Sequence, residues 1–250
     1  AGGESGEAVG LPTYRPYTNP VTIGALAGRA VRERLQPVRR TTLHDWHLRH
    51  GAVMKLTGAW LRPFYYPKDG ETGWEPVLRE ARAVRTGVGI CDVSTLGKID
   101  LQGPDAATFL DRLYVNTFST LAVGKARYGL MLREDGIAFD DGTTSRLGPE
   151  HFLITTTTGN AASVLEHMEF YAQTVWPELD VQFCSVTDQW AQMSVAGPYS
   201  RATLEKVITG LDLSNAAFPF MAVGEARLAG FPVRVFRISF SGELAYEIAT

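Results

Sequence analysis

Polar and apolar residues alternate strictly in Lys98-Ile99-Asp100-Leu101-Gln102, the pattern of a half-buried strand. Gly103-Pro104-Asp105 ends that strand, and Ala107, Phe109, Leu110 and Leu113 predict a helix directly after it. A helical stripe returns in Ala161, Val164, Leu165, Met168 and Tyr171, with Asn160 placed to cap it. Residues 128–132, 143–146, 151–157, 181–186 and 190–195 read as strands, with Gly148-Pro149 turning 143–146 into 151–157. A helix is expected over 198–208, and Ala229-Gly230-Phe231-Pro232 is a hairpin signal between Arg227-Leu228 and 233–240. Further upstream, Thr41-Thr42 can cap a helix carrying Leu43, Trp46, His47 and Gly51, and a second helix is expected over 74–85. Helices set between runs of strands predict an α+β fold with largely antiparallel sheets.

Composition narrows the class. An apolar share of 45% over 250 residues is ample for a core, and a net charge of −3 argues against a general nucleic-acid binder. No apolar run approaches the ~20 residues that span a bilayer; 21–28 is short and is followed by Arg29, Arg32 and Glu33. Cys91 and Cys184 lie in apolar settings far apart, so buried free thiols in a reducing compartment, the cytoplasm by default, are expected. Gly and Pro crowd residues 1–20, and 1–40 as a whole reads as a linker or extension, leaving 41–250 as the folded region. The last residues, 244–249, are strand-like, which suggests a piece cut from something longer.

The run Asp135-Gly136-Ile137-Ala138-Phe139-Asp140-Asp141-Gly142 carries the most chemistry. Neighbouring side chains of a strand point to opposite faces. Phe139 and Asp141 should therefore share one side, and Ala138 and Asp140 the other, with Asp140 the carboxylate facing an interior cleft. A polar hairpin beside a core strand accounts for the same run equally well. His44-x-x-His47-x-x-His50 lacks an evident third ligand on its helical face and reads as capping and packing rather than a metal site. Neither a serine triad nor a Gly-x-Gly-x-x-Gly dinucleotide fingerprint stands out.

Several segments, in order, resemble the folate-binding aminomethyltransferase family: Tyr14-Arg15-Pro16-Tyr17-Thr18, 20–28, His44-Asp45-Trp46-His47, 92–99, Gly103-Pro104-Asp105-Ala106, 136–142 and Phe240-Ser241-Gly242-Glu243. Within that family the likeness is to the C-terminal half of heterotetrameric sarcosine oxidase alpha subunits. The resemblance implies a three-lobed cloverleaf, of which 41–250 supplies two α+β lobes and lacks the third, a β-barrel. It implies tetrahydrofolate as cofactor, with the one-carbon unit of an oxidised N-methyl amine passed to it to give 5,10-methylenetetrahydrofolate and glycine. It implies Asp140 as the carboxylate near the folate nitrogens and Glu247 as acceptor for the pterin edge. Leu96 would lie against the pterin and Tyr128 near it; Phe240, where many relatives have tyrosine, would be a further cofactor-binding residue, stacking on the ligand without a hydroxyl to bond it. FAD, NAD and FMN belong, on this likeness, to other parts or subunits, including a preceding dinucleotide-binding domain and a flavin-bearing beta subunit. A glycine-cleavage aminomethyltransferase and a non-catalytic folate-binding scaffold are the alternatives.

Overall fold

The computed structural model describes residues 38–250, and the elements below lie in the unit Arg40–Thr250. The segment 1–37, with most of the expected linker and the 14–28 lead-in, lies outside the described residues. The elements are α1 (His44–Arg49), β1 (Val53–Thr57), β2 (Trp60–Tyr65), α2 (Glu75–Thr86), β3 (Gly89–Asp92) and β4 (Gly97–Gln102). There follow α3 (Ala106–Leu113), β5 (Lys125–Leu132), β6 (Ala138–Gly148), β7 (His151–Thr156), α4 (Ala161–Phe170) and β8 (Gln182–Ser185). The chain closes with β9 (Gln192–Ala196), α5 (Ser200–Leu204), β10 (Ile208–Thr209), β11 (Val223–Leu228), β12 (Phe231–Phe236) and β13 (Ala245–Ala249).

Beside the β1–β2 hairpin stand two larger antiparallel sheets. One has five strands in the order β5-β6-β7-β4-β8, the other six in the order β10-β11-β12-β13-β9-β3. The α+β expectation holds. Helices α3 and α4 cover one face of the five-stranded sheet, where Phe109, Leu110, Leu113, Val164 and Met168 meet Ile99, Leu101, Met131, Phe152 and Ile154. A second core forms on one face of the six-stranded sheet from Val195, Leu204, Val233, Val235, Tyr246 and Ile248. A third joins the two sheets: Ala126 and Leu153 of the first meet Val223, Phe236 and Ala249 of the second. Both faces of the five-stranded sheet are therefore covered, one by helices and the other by a sheet.

The chain passes between the sheets at 93–96 and again at 186–191, and the two crossings are stitched together. Val93 N–H donates to the Gln192 carbonyl at 2.9 Å, and Gln192 N–H to Ser94 Oγ at 2.9 Å. Lys98 N–H donates to Thr187 Oγ1 at 3.0 Å.

Several local expectations are corrected. Cys91 and Cys184 are free but exposed, because β3 and β8 are edge strands with fewer neighbours to cover them. Asn160 occupies the start of α4 without capping it by its side chain; its amide instead reaches Phe139 O at 3.0 Å and Asp140 Oδ1 at 3.2 Å. The hairpin at 229–232 turns on two residues, Ala229 (φ 49°) and Gly230 (φ 88°), and Phe231 and Pro232 already belong to β12. Helix α5 is a short remnant of the span expected over 198–208. The largest departure is at 138–141. Leu132 pairs with Ala138 but Met131 with Asp140, so Phe139 is an extra, bulged residue. It packs against the helix-side core, 4.8 Å from the His167 ring, and so does not share a side with Asp141.

Candidate functional site between the sheets

The strand registers decide which side chains face the second sheet. Ile99 and Ile154 are paired and lie in the helix-side core, so their neighbours Lys98 and Thr155, also paired, point the other way. Along β6, Thr144 pairs with Ile154 and Ser145 with Leu153, which places Asp141, Thr143 and Ser145 on the inter-sheet face. Along β5, Ala126 belongs to the inter-sheet core, and Tyr128 and Leu130 follow on the same face. Tyr128, Thr143, Thr155 and Lys98 thus form one row across four strands, about 14 Å long at the usual strand spacing. The Thr143 and Thr155 hydroxyls bond at 2.9 Å within it. Asp141 stands one step along, and Tyr128 Oη donates to its Oδ2 at 2.8 Å. That bond, made to the neutral phenol, raises the Tyr128 hydroxyl above its ordinary range.

Asp140 does not reach this face. It is paired with Met131 of the helix-side core, is 8% exposed, and accepts from Thr157 N–H at 3.2 Å, Thr157 Oγ1 and Asn160 Nδ2. Burial, and after it the Asp140 charge, pushes the Tyr114 hydroxyl of the same core upward. Alternation does separate the two aspartates, and Asp140 does point inward. Inward here means toward helices α3 and α4, with its carboxylate engaged by the chain entering α4.

The six-stranded sheet supplies the opposite wall. Ala249 belongs to the inter-sheet core while Tyr246 and Ile248 lie in the other one, so Glu247 faces the five-stranded sheet. Its cross-strand partner Ser194 and the preceding Gln192 share that face. Gln192 Nε2 donates to Glu247 Oε2 at 2.5 Å. Burial raises the Glu247 carboxyl above the usual range, while the Gln192 bond and the Lys98 charge oppose the rise. Lys98 is only 1% exposed, although alternation alone reads it as the wet side of a strand. Its ammonium donates to Ser94 O at 3.0 Å and Leu96 O at 2.9 Å. Burial lowers it to about 8, against the pull of Glu247 and Asp92.

Leu96 sits half-buried in the crossing turn, directly before β4. That turn is anchored from behind. Asp92 Oδ1 accepts from Ser94 N–H at 2.9 Å, and Asp92 Oδ2 lies 3.0 Å from His47 Nε2. His47 Nδ1 in turn lies 2.6 Å from Tyr66 Oη. Desolvation works to raise the Asp92 carboxyl, but the Ser94 and His47 bonds bring it below the ordinary range. His47 is therefore a packing and hydrogen-bonding residue, and His50 stacks on Trp46 at 3.9 Å. No group of three or more His, Cys, Asp or Glu poised for a metal occurs among the described residues.

The structure thus sets Tyr128 on the inter-sheet side of one sheet and Glu247 on that of the other, with Leu96 in the turn between them; it adds Asp141, Lys98 and Gln192 to these and turns Asp140 away. Phe240 lies in the loop before β13, fully exposed. Of the added residues, Asp141 was legible in the acidic run, whereas nothing local in the sequence marks Lys98 or Gln192. A cavity of ≈ 650 Å³ lies on the other face of the six-stranded sheet, among Ile90, Met193, Val195 and Ile248, and none of the site residues lines it.

A protein with two packed antiparallel sheets and a polar face between them is the class defined here. The GCVT N-terminal domain family matches residues 43–250, and the chain belongs to that family. It is 55% identical, over its whole length, to sarcosine oxidase subunit alpha of Rhizobium meliloti, of which it spans 25%. It is 32% identical over 84% of its length to an aminomethyltransferase of Corynebacterium jeikeium, spanning 54% of that protein. Among solved structures, the glycine cleavage system aminomethyltransferase T from Bartonella henselae matches with a TM-score of 0.71 and 25% identity, over 85% of this chain and 53% of that one. The chain therefore spans about a quarter of the length of the first curated relatives.

Proposed function

We propose that the inter-sheet face binds a reduced folate, and that this chain is the tetrahydrofolate-binding part of a sarcosine oxidase-like enzyme. The reading rests most directly on one observation: Asp141 and Tyr128 on the inter-sheet face of one sheet are set opposite Glu247 on the facing side of the other, with Leu96 in the turn that joins the two. The 55% identity to a sarcosine oxidase alpha subunit supports the same reading.

The residues present fit such a ligand. A carboxylate offers about four acceptor positions, and Glu247 gives one to Gln192, keeping capacity for the paired N–H donors of an amino-pyrimidinone edge. Burial makes that acceptance stronger than it is in water. Leu96 supplies an apolar contact for a flat ring. Tetrahydrofolate, when bound, supplies the nucleophilic amine that takes up the one-carbon unit of an iminium, yielding 5,10-methylenetetrahydrofolate and glycine. Capture of that unit releases a proton and develops positive charge. Asp141 is placed to stabilise the charge and accept the proton, help typically worth ~10²–10⁴ in rate. Tyr128 orients Asp141 through its 2.8 Å bond.

Amine oxidation, with its FAD, NAD and FMN, belongs in this reading to other parts of the protein or to partner subunits, a flavin-bearing beta subunit among them. Residues 1–40 would connect to a preceding dinucleotide-binding part. The free thiols suit a reducing compartment, and we place the protein in the cytoplasm. No helix among the described residues is long and apolar enough to cross a membrane. The glycine-cleavage reading is less favoured because identity to aminomethyltransferases is 32–33% where sarcosine oxidase alpha subunits reach 52–55%.

Product partition in the assembled enzyme tests the proposal. Asp141→Asn should leave sarcosine consumption intact and divert the one-carbon unit from methylenetetrahydrofolate to free formaldehyde. If Asp140→Asn diverts it instead, with folding unchanged, Asp140 is the carboxylate and the face assignment is wrong.

A further inference from the structure

Lys98 is a buried cation to which the proposed reaction assigns no role, and it stands on one wall of the site facing the other. Two of its three N–H donors are committed to the carbonyls of Ser94 and Leu96, at 3.0 and 2.9 Å. Those carbonyls belong to the turn that carries Leu96. The same ammonium faces the second sheet, where Glu247 stands on β13. The charged and titratable groups around Glu247 are few. Lys98 comes from β4 and Cys91 from β3, whose Asp92 pairs with Met193 on the opposite face and acts on Lys98 instead, and Gln192 and Ser194 are the polar neighbours from β9. Arg62 of β2 acts on Cys91 rather than on Glu247. Among these groups Lys98 is the cation that bears on the Glu247 carboxylate.

We propose that Lys98 is a positioning residue for the folate: it ties down the 94–96 turn and keeps Glu247 an anion, so that Glu247 accepts rather than donates hydrogen bonds. The proposal rests on the reading that Glu247 faces the ligand. A protonated Glu247 presents an O–H to a ligand edge that is itself a donor, and one hydrogen bond becomes a clash of donors. The opposing effects of burial and of Lys98 on the Glu247 carboxyl agree with this role.

The test uses the full-length protein with its subunits and 5-formyltetrahydrofolate, a stable reduced folate, as probe. Affinity is followed by calorimetry from about pH 5 to about pH 8, across the range where a raised carboxyl titrates. In wild type, affinity falls on the acid side as Glu247 takes up a proton. Lys98→Met removes the charge and should move that fall upward by about one pH unit. Lys98→Gln, which keeps N–H donors without the charge, should do the same, and Lys98→Arg should restore the wild-type position. If both neutral variants bind more weakly but with the fall unmoved, Lys98 is only a structural tie and the proposal fails. Glu247→Gln separates the two readings. If it abolishes the acid-side fall while the Lys98 variants leave theirs unmoved, Glu247 stands and Lys98 does not. If it leaves the fall as in wild type, the Glu247 reading itself is wrong.

Discussion

Lys98 and the two aspartates show how single side chains divide between stability and function. The buried ammonium titrates near 8 in the fold, against an ordinary 10.5, because desolvation disfavours its charge. Between those values the unfolded chain binds more protons than the native one. The penalty is therefore fully present below about pH 8 and is relieved as pH rises toward the unfolded value, so stability climbs across that window. Its full size is about 3 kcal/mol at ~1.4 kcal/mol per pH unit. The stability difference between wild type and Lys98→Met, followed by urea melts from pH 7 to 10, should narrow with rising pH; a constant difference would contradict the depressed ammonium. Asp140 behaves oppositely to Asp141. Asp140→Asn disturbs three hydrogen bonds near the start of α4 and should lose about 1–3 kcal/mol. The exposed Asp141→Asn should stay within about 0.5 kcal/mol of wild type. Thermal melts of the two variants check this ordering.

Strand β6 sets this division, through a bulge and a glycine. The bulged Phe139 packs beside α4, and pairing resumes at Asp140, so Asp141 faces the other sheet. Gly142 then lets β6 close on β7: a Cβ there would lie 2.0 Å from the Thr155 carbonyl oxygen. Since that obstacle is backbone, Gly142→Ala must spread the strands, at a cost of about 1–3 kcal/mol. It should also loosen the Thr143 N–H bond to Thr155 Oγ1, now 3.0 Å. Faster amide exchange at Thr143, with β4 and β8 unchanged, is the expected signature. An alanine variant as stable as wild type would mean that the strands do not approach so closely.

For the molecule as a whole, the site is a property of how two sheets meet. Lys98 and Asp141 are held by one, Glu247 and Gln192 by the other, and the cluster of Leu153, Val186, Phe236 and Ala249 fixes the distance between them. Phe236→Ala and Phe109→Ala each empty a buried aromatic position and should each cost about 3–5 kcal/mol. They should differ in function. Phe109 packs under the helices, so its loss should spare folate affinity at temperatures where the variant is folded. Phe236 packs between the sheets, and its loss should weaken binding at least tenfold. Equal affinities in the two variants would show that the site does not depend on the inter-sheet contact.

The sequence by itself determined the elements and their class, because a strand's two-residue alternation and a helix's apolar stripe are local properties: Lys98 to Gln102, Ala161 to Tyr171 and the order of helices among many strands were all legible. It also placed Asp140 and Asp141 on opposite faces. Tertiary structure decided which of those faces is which. Both faces of the five-stranded sheet are covered, so burial alone could not tell the helix side from the sheet side, and the inward carboxylate proved to be the one held by the chain entering α4. Lys98 illustrates the same limit. Its charge reads as solvent-facing until a second sheet, most of whose strands lie roughly a hundred or more residues further along, folds over it and buries it on the side of the sheet that faces Glu247.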